Sequence, residues 1–340
     1  MDRIRIHSSE HDQRVAEVMG GRIHDVLNGY AICNALFAFL EAGLLEEVGT
    51  EGIFDLKTIA EKRKLDPHQL LGLFRYLALH DVFKERGGQF WITPVGKTLL
   101  SPGAVAVLEL YRGGYGHVMF DANHLLRKSK VYHKDIARDG KYVAQGSAGI
   151  FSSFYAAAAY AAIDRCGGKR VLDLGCGDAK FLIEFCKRTP GGTGIGVDLD
   201  ERAVEAGRRA IAEAGLSDRI RIQQGDAFRP EVFRSLTSEV DVVYSFAMQH
   251  EMFRDGEQVV IDYINEIGKS FKGKWYLLGE PMLNYTVGDS IFYWIHILSL
   301  QGLPRSIDGW VPLLERCQPK LEAVYYPDHE RYGAYFLLKL

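Results

Sequence analysis

Length, composition and charge exclude several classes of protein. The 340 residues exceed the roughly 100 to 200 of one typical domain, so two domains are expected. A hydrophobic fraction of 47%, a charged fraction of 25% and 36 aperiodic glycines exclude a disordered or collagen-like chain. The net charge of -3 gives no electrostatic reason to expect a nucleic acid or an anionic membrane as principal partner, so we expect a small-molecule ligand.

The N-terminus and the cysteines indicate where the protein works. Residues 1–10 are too polar for the apolar core of a signal peptide, and no run of about 18 apolar residues follows. We therefore predict a cytoplasmic protein. The five cysteines are an odd number, lie far apart and include no C-x-x-C pair, so we expect reduced thiols and no cysteine-rich metal site.

The first part of the chain has the periodicity of helices. Between residues 12 and 48, apolar residues recur at three- and four-residue steps, which predicts amphipathic helices. Gly20, Gly21 and Gly29 are expected to interrupt them.

A helix, a second helix and a hairpin are predicted next. Residues 55–61 open a short helix, and Pro67 stands where the first turn of another helix accepts proline. Residues 83–93 predict a β-hairpin with a Gly-Gly turn. This order is the winged-helix pattern, but no basic stripe follows the second helix, so DNA binding is not favoured. We predict a mainly helical first domain over residues 1–103.

Residues 104–165 are predicted to connect the two domains. Helical stretches are expected around 106–111 and 150–162, with a glycine-rich break after the first. We expect this segment to form a lid over a ligand site, with Tyr142 and Tyr155 as candidate substrate contacts. Simple packing is the alternative role for each tyrosine.

Strands and helices alternate from residue 166 to the end of the chain, the third predicted region. The expected strands cover residues 170–174, 193–197, 220–223, 240–245 and 275–278, and the expected helices cover 181–186, 202–214 and 259–267. This alternation indicates a parallel, doubly wound sheet. Two strand-like runs, 321–326 and 332–340, have no helix between them, which predicts a terminal antiparallel hairpin.

The first of these strands ends in a glycine turn that enters a helix. Gly175 and Gly177 allow backbone to approach a ligand closely. A dinucleotide site requires a third glycine where this chain has Lys180, so a pyrophosphate ligand is not favoured. Asp173 instead offers a carboxylate to a ligand that carries an amino group. Capping the turn is the alternative role for Asp173.

The next two strands also end in acidic residues. Asp198 ends the second strand, 21 residues beyond Gly177, where a carboxylate can hold two ribose hydroxyls. Asp226 follows the third strand and can accept from an adenine amino group, with Ala227 and Phe228 against the ring. A helix N-cap is the alternative role for Asp226.

These elements, in this order and with the terminal hairpin, resemble class I S-adenosylmethionine-dependent methyltransferases over about residues 148–340. The resemblance implies an α/β, Rossmann-like sheet of seven strands that binds S-adenosylmethionine and releases S-adenosylhomocysteine. The donor-binding residues that it implies are Asp173, Gly175, Gly177, Asp198, Leu199, Asp226, Ala227, Phe228 and Ser245.

The region before the sheet resembles the dimerisation domain of small-molecule O-methyltransferases of secondary metabolism. In that family the N-terminal helices of two subunits interlock. The resemblance therefore implies a homodimer that acts on a small-molecule acceptor.

The residues after the fourth strand resemble the acceptor site of the same family. The family has a His-Asp-Trp signature there, matched here by His250 and Glu251, with Met252 in place of tryptophan. Methyl transfer requires an oriented acceptor and removal of its proton. The resemblance implies His250 as general base, assisted by Glu280 at the end of the next strand, with Glu251 in the pocket. A second supporting glutamate has no clear match, and Asp308 lies nearest.

The same residues are also similar to 2-oxo acid C-methyltransferases. One type in that family holds a non-haem iron through the histidine at this position and a second histidine, for which His296 is the candidate. Together with a carboxylate such as Glu280, His250 and His296 can form a facial metal site. Packing among the aromatic residues of a helix is the favoured role for His296, so a metal is not expected.

The acceptor atom stays open on the sequence alone. A hydroxyl ranks first, followed by the carbon next to a 2-oxo acid and by the nitrogen of an amine or guanidine. Arg112, Arg254 and Arg305 are candidates to pair with a substrate carboxylate. A function of another class, a winged-helix regulator that uses the fold as a ligand sensor, is disfavoured by the proton-accepting His250.

Overall fold

The computed structural model describes residues 13–14, 16–18, 22–48, 54–327 and 333–340. The predicted interruptions at Gly20 and Gly21 and the predicted strand start at Tyr332 lie outside these residues. The chain divides into two compact units, residues 1–113 and 114–340. The finer division into three regions stays a prediction.

The described part of the first unit is mainly helical. Asp55 and Asp66 each begin a helix by accepting hydrogen bonds from backbone N–H groups of its first turn. The helices are Arg22–Glu41, Leu44–Val48, Leu56–Arg63, Pro67–Leu79, Pro94–Leu99 and Pro102–Leu108, followed by a π-helical turn at Glu109–Gly114.

A two-stranded antiparallel hairpin completes this unit, formed by β1 (Phe83–Arg86) and β2 (Gln89–Ile92). Gly87 and Gly88 join the strands with φ angles of 61° and 80°, as a two-residue turn with left-handed backbone requires. The predicted order of helix, helix and hairpin is therefore present. Among the described residues, the core of the unit contains five buried aromatic rings, those of Phe39, Phe54, Phe74, Phe83 and Phe90.

The helix Arg22–Glu41 runs through Gly29 without a break, so the predicted interruption at Gly29 is wrong. An interior glycine costs a helix about 1 kcal/mol relative to alanine, which a helix of 20 residues tolerates. Among the described residues this helix alone is long and apolar enough to cross a membrane, a criterion that helices packed against protein also meet. Its exposed large apolar side chains are Ile23, Val26, Leu27 and Tyr30.

The second unit is built on a seven-stranded sheet. The strands are β3 (Arg170–Leu174), β4 (Thr193–Asp198), β5 (Ile220–Gln224), β6 (Val242–Phe246), β7 (Trp275–Pro281), β8 (Lys320–Tyr325) and β9 (Gly333–Lys339). Their order in the sheet is β5-β4-β3-β6-β7-β9-β8. The first five are parallel, β9 is antiparallel to β7, and β8 is antiparallel to β9. The predicted parallel sheet with a terminal antiparallel hairpin is thus confirmed.

Helices cover both faces of this sheet. Successive residues of β3 point to opposite sides, so Val171 belongs to one apolar cluster and Leu172 to the other. The α-helices are Gly116–Phe120, Ala122–Leu126, Gly140–Ile150, Ala156–Arg165, Lys180–Arg188, Glu201–Glu213, Glu257–Ser270, Ser290–Ser299 and Ile307–Leu314. A π-helical turn covers Phe151–Tyr155, and 3-10 helices cover Pro230–Glu239, Gln249–Asp255 and Val287–Asp289.

The sheet topology fixes where a ligand can bind. β4 lies on one side of β3 and β6 on the other, so the connection that follows β3 and the connection that follows β6 leave the carboxyl edge of the sheet in opposite directions. The place where the connections change direction is called a topological switch point, and open α/β sheets bind ligands in the crevice there. Asp173, His250 and Glu280 all lie at or near this edge, on β3, after β6 and on β7.

Candidate active site

The glycine turn after β3 adopts the conformation that its sequence predicts. Gly175 and Gly177 have φ angles of 81° and 53°, a left-handed backbone that glycine adopts at no steric cost. The N–H groups of Gly175 and Cys176 donate to the carbonyl oxygen of Val197 at 2.8 and 3.0 Å. The turn is therefore held against the end of β4, directly before the helix Lys180–Arg188.

Asp173 provides a buried carboxyl group beneath this turn. The residue is 3% exposed, and its side chain makes no hydrogen bond to another described residue, so the alternative role as a turn cap finds no support. Burial first, and the charge of Asp198 second, raise the pKa of Asp173 well above its usual range. A cationic group brought beside Asp173 would restore its ionised form, so the residue fits a ligand with an ammonium group.

Asp198 connects the end of β4 to the glycine turn. Its Oδ2 accepts a hydrogen bond from the Gly177 N–H at 2.8 Å, and its Oδ1 accepts from the Asp200 N–H at 2.9 Å. Leu199, the next residue, is 66% exposed. The structure thus brings Asp198 and Gly177 into direct contact.

The predicted adenine contacts follow β5, the neighbour of β4. Asp226 accepts a hydrogen bond from the Phe228 N–H at 2.9 Å, which closes a local turn. Ala227 is buried and Phe228 is 42% exposed. The hydroxyl of Ser245, at the end of β6, is fully buried and lies 3.1 Å from Gln249 Oε1 and 2.8 Å from the Tyr276 hydroxyl. The Ser245 side chain therefore belongs to the buried core, where it links the end of β6 to Gln249 and Tyr276.

His250 lies in the 3-10 helix Gln249–Asp255, which follows β6. The chain leaves β6 through Ala247, a non-glycine residue with a φ of 55°, and such strained positions are held only by the surrounding structure. A Cβ built on Gly175 would lie 3.4 Å from the sulfur of Met248. The segment that carries His250 is therefore next to the glycine turn.

Glu280 holds this segment from the end of β7. Its Oε1 accepts hydrogen bonds from the backbone N–H groups of Met248, Gln249 and His250 at 3.1, 2.6 and 3.4 Å. Its Oε2 lies 2.7 Å from His250 Nδ1. Glu280 is fully buried and His250 is 4% exposed. A buried carboxylate with these four partners fixes the position of the imidazole and favours a proton on Nδ1.

His296 faces His250 from the helix Ser290–Ser299. The Nε2 atoms of the two imidazoles are 3.3 Å apart, and His296 Nδ1 donates to the carbonyl oxygen of Phe292 at 2.7 Å. Burial first, and the charge of His250 second, lower the pKa of His296 to about 3. His296 is therefore neutral near pH 7, with a proton on Nδ1 and a lone pair on Nε2.

The predicted metal ligands do not converge on one point. Both oxygens of Glu280 are engaged on the Nδ1 side of His250, whereas His296 faces the Nε2 side. In the part of the chain that the structure describes, no group of three or more His, Cys, Asp or Glu side chains could hold a metal ion. The residues present therefore do not fit the facial site that the second resemblance implied.

The two predicted pocket tyrosines occupy different environments. Tyr142 is half-buried in the helix Gly140–Ile150, and Lys141 Nζ lies over its ring, 4.5 Å from the centroid. Tyr155 is 4% exposed, and its ring packs on that of Phe246 with 5.1 Å between centroids. Phe246 ends β6, so Tyr155 packs at the carboxyl end of that strand.

The three arginines proposed for a substrate carboxylate have partners in the protein. Arg112 Nε donates to Asn34 at 2.8 Å, within the first unit. Arg305 Nη1 donates to Glu257 at 2.6 Å. Arg254 lies 3.5 Å from the carboxylate of its neighbour Asp255.

Sequence reasoning missed another arginine, Arg138, which lies near Glu251. Its Nη1 donates to the Tyr115 hydroxyl at 3.1 Å and lies 3.8 Å from Glu251 Oε1. No motif surrounds Arg138, and only the tertiary structure brings it to Glu251.

Comparisons with known proteins bear on the class of this site. The family described as "Methyltransferase domain" matches residues 171–267, which include the glycine turn and the segment with His250. Methyltransferase ungE' of Aspergillus campestris is 26% identical over 234 residues, 67% of this chain and 67% of that protein. 3-Hydroxy-5-methyl-1-naphthoate 3-O-methyltransferase of Streptomyces sahachiroi is 28% identical over 60% of this chain and 62% of that protein. 2-Ketoarginine methyltransferase of Streptomyces arginensis is 26% identical over 70% of this chain and 68% of that protein.

Solved structures share the fold over nearly the whole chain. Human N-acetylserotonin methyltransferase in complex with S-adenosylmethionine has a TM-score of 0.71 at 17% identity, covering 98% of this chain and 99% of that chain. The mitomycin 7-O-methyltransferase MmcR has a TM-score of 0.69 at 19% identity, covering 98% and 100%.

The sheet, with the glycine turn at its carboxyl edge, has the Rossmann-like fold of class I methyltransferases, and residues 171–267 match a methyltransferase domain. The protein is an S-adenosylmethionine-dependent methyltransferase, and S-adenosylmethionine is its cofactor.

Proposed function

We propose that the protein methylates a hydroxyl group of a small molecule of secondary metabolism, with His250 as general base and Glu280 as its positioning residue. The observation that carries the proposal is the 2.7 Å contact between His250 Nδ1 and the fully buried carboxylate of Glu280. The relatives named as O-methyltransferases support the acceptor type.

The chain supplies a place for each part of the reaction. When bound, S-adenosylmethionine provides a methyl carbon activated by a sulfonium. Asp173 pairs with its ammonium group, and Asp198 with its ribose hydroxyls. The remaining contacts that we assign to the donor are those of Gly175, Gly177, Leu199, Asp226, Ala227 and Phe228. Ser245 is left out of this set, because its hydroxyl is buried against Gln249 and Tyr276.

His250 removes the acceptor proton as the new bond to the methyl carbon forms. With a proton on Nδ1 donated to Glu280, Nε2 of His250 carries the lone pair that accepts the proton of the hydroxyl. The resulting imidazolium is stabilised by the buried Glu280 carboxylate. The lone pair of His296 Nε2, 3.3 Å away, can accept a hydrogen bond from that imidazolium or from the acceptor.

A second candidate function is methylation of the carbon next to a 2-oxo acid. The facing Nε2 atoms of His250 and His296 favour it, because one can take the acidic C–H proton of the keto form and the other can accept a hydrogen bond from the hydroxyl of the enol form. The relatives named 2-ketoarginine methyltransferase and indolepyruvate C-methyltransferase support this alternative. Proton removal by His250 would be common to both functions.

A labelling experiment distinguishes the two functions. The protein is incubated with methyl-labelled S-adenosylmethionine and a pooled panel of phenols, 2-oxo acids, amines and guanidines, with and without a chelator, and the label is located by mass spectrometry. We expect label on oxygen, indifferent to the chelator. Label on carbon would support the second function. Label on nitrogen, or no label at all, would contradict both.

We further propose a cytoplasmic homodimer formed by the helices of the predicted dimerisation domain, residues 1–103. The support is the row of exposed apolar side chains on the helix Arg22–Glu41, since such faces are usually covered by another protein surface. Leu27→Asp together with Tyr30→Asp is expected to convert the dimer to a monomer in analytical ultracentrifugation. A monomeric unaltered protein would contradict the proposal.

We also propose that residues 104–165 act as the lid that contributes Tyr142 and Tyr155 to the pocket.

A further inference from the structure

A polar cluster lies beside the two histidines, in the second unit. Its cation is Arg138, whose Nη1 donates to the Tyr115 hydroxyl at 3.1 Å. Glu251, the residue after His250, lies 3.8 Å from the same Nη1. The side chains of Arg138 and Glu251 are 34% and 33% exposed, so this part of the cluster is open to a ligand. Arg138 is also near enough to contribute to the lowered pKa of His296, after burial and the charge of His250.

Glu251 does not saturate the guanidinium of Arg138. A separation of 3.8 Å is too long for a hydrogen bond. Glu251 Oε1 instead accepts from Gln301 Nε2 at 2.8 Å, and Gln301 Oε1 accepts from the Ser299 hydroxyl at 2.8 Å. Among the described residues, Nε and Nη2 of Arg138 have no hydrogen-bond acceptor. These two groups form part of the planar fork that matches a carboxylate.

Tyr132 adds a buried hydroxyl without a partner. The residue is 7% exposed, and its hydroxyl oxygen has no hydrogen-bond partner in the part of the chain that the structure describes. Burial first, and Tyr115 second, raise the pKa of Tyr132 to about 12, whereas the charge of Arg138 and its backbone N–H, which faces the hydroxyl oxygen, lower it. The hydroxyl is therefore protonated near pH 7, and it is close enough to Tyr115, Arg138 and Glu251 to interact with them electrostatically. Buried polar groups normally have a partner, so an unpaired donor here indicates a missing acceptor.

We propose that Arg138 and Tyr132 bind a carboxylate of the acceptor, so that the substrate is a carboxylic acid whose reacting group lies at His250. The inference rests on the proposed function, because His250 is taken as the base. Arg138 would supply two N–H donors and Tyr132 the O–H donor, which satisfies both oxygens of a carboxylate. Arg138 is the one cation of the cluster among the described residues, which suits a singly charged carboxylate better than a doubly charged phosphate.

A binding experiment without turnover tests the proposal. The protein, saturated with S-adenosylhomocysteine, is mixed with phenylpyruvate, 4-hydroxyphenylpyruvate, 3-hydroxybenzoate and 4-hydroxybenzoate, together with the methyl ester of each. Retention of each compound on ultrafiltration is measured by mass spectrometry. We expect at least one acid to bind about tenfold or more tightly than its ester, because a hydrogen bond to a charged group has roughly that effect on affinity.

Three variants separate recognition from stability. Arg138→Gln is expected to abolish the preference for acid over ester. Tyr132→Phe is expected to weaken acid binding about tenfold while leaving the unfolding temperature unchanged or higher, because it removes an unpaired buried hydroxyl. Arg127→Gln is the matched control, since this arginine of the same segment is exposed and, among the described residues, its side chain donates only to Asn123.

Each outcome bears on the carboxylate site directly. Retention of acids and esters to the same extent, retention of no acid, or an acid preference that survives in Arg138→Gln would overturn it. His250→Ala should keep the preference for acid, because the base is not needed for binding. Failure of the proposed base would therefore appear as methyl transfer by His250→Ala, and failure of the carboxylate site as a lost dependence on Arg138.

Discussion

Replacing Glu280 by glutamine tests how the buried carboxylate activates His250. In the structure Oε1 accepts from the backbone N–H groups of Met248 and Gln249, and Oε2 accepts from His250 Nδ1. A glutamine amide has one acceptor and one donor. If its oxygen faces the backbone, its NH2 group faces Nδ1 and forces the imidazole proton onto Nε2. If its oxygen faces Nδ1, its NH2 group meets the backbone N–H groups, donor against donor.

Either orientation of the glutamine amide breaks some of the hydrogen bonds that position and orient His250. The expected loss in kcat follows from the strength of those hydrogen bonds. A hydrogen bond to a charged group contributes about 1.5 to 3 kcal/mol, which corresponds to roughly 10- to 150-fold in rate. We therefore expect kcat to fall about 100-fold. Buried N–H groups left unpaired cost about 1 to 3 kcal/mol, so the free energy of unfolding should fall by a similar amount. Binding of S-adenosylhomocysteine should change by no more than about threefold, because the hydrogen bonds of Glu280 go to Met248, Gln249 and His250 and to no residue assigned to the donor.

Three assays separate these effects. Methyl transfer to the acceptor found by labelling gives kcat, titration calorimetry gives the affinity for S-adenosylhomocysteine, and thermal unfolding gives the stability. Glu315→Gln is the matched control, because Glu315 is an exposed carboxylate at a helix end. A Glu280→Gln protein that is folded and retains kcat within about threefold of the unaltered protein would refute the reasoning.

Three further perturbations test other parts of the site. Asp173→Asn should weaken S-adenosylhomocysteine binding about tenfold or more in calorimetry. It should not lower the unfolding temperature of the free protein, because it removes a buried carboxyl whose ionisation Asp198 opposes. A less stable variant with unchanged affinity would contradict this prediction. His296 has a pKa of about 3 in the folded protein and about 6.5 when unfolded, so the unfolded chain binds the extra proton and stability falls as pH drops through this window. Between pH 7.5 and 5.5 the unaltered protein should lose about 1 kcal/mol more stability than His296→Asn in urea titrations, and equal losses would contradict the assignment. Gly302→Ala should lower kcat at least tenfold in transfer assays, because any Cβ there collides with the backbone oxygen of His250 and displaces the residue. An unchanged kcat would contradict the claim that the position of His250 is critical for transfer.

The sheet and its turn were predictable because their signals are local. Buried strands and the conformational freedom of Gly175 and Gly177 can be inferred from short stretches of sequence, and the order of the strands follows from the alternation with helices. Gly29 was misjudged because one glycine is too small a cost to end a long helix.

The contacts between side chains were less predictable. Glu280 was assigned to His250 by resemblance, but its three hydrogen bonds to the backbone depend on how β7 lies beside the segment after β6. His296 was expected to pack among aromatic rings; it does contact Phe292, yet its Nε2 also faces His250. Arg138 and Tyr132 gave no signal at all, because only the tertiary fold brings them to Glu251 and Tyr115.

The most direct test of the central claim is methyl transfer by His250→Ala, measured in a single turnover with the donor saturating and the acceptor identified by labelling. Single-turnover conditions separate the transfer step from product release, and affinity for S-adenosylhomocysteine is measured on the same preparation to show that the donor site is intact. If His250 is the general base, transfer falls at least 100-fold while that affinity stays within a few-fold. Transfer at the rate of the unaltered protein would mean that His250 does not remove the acceptor proton.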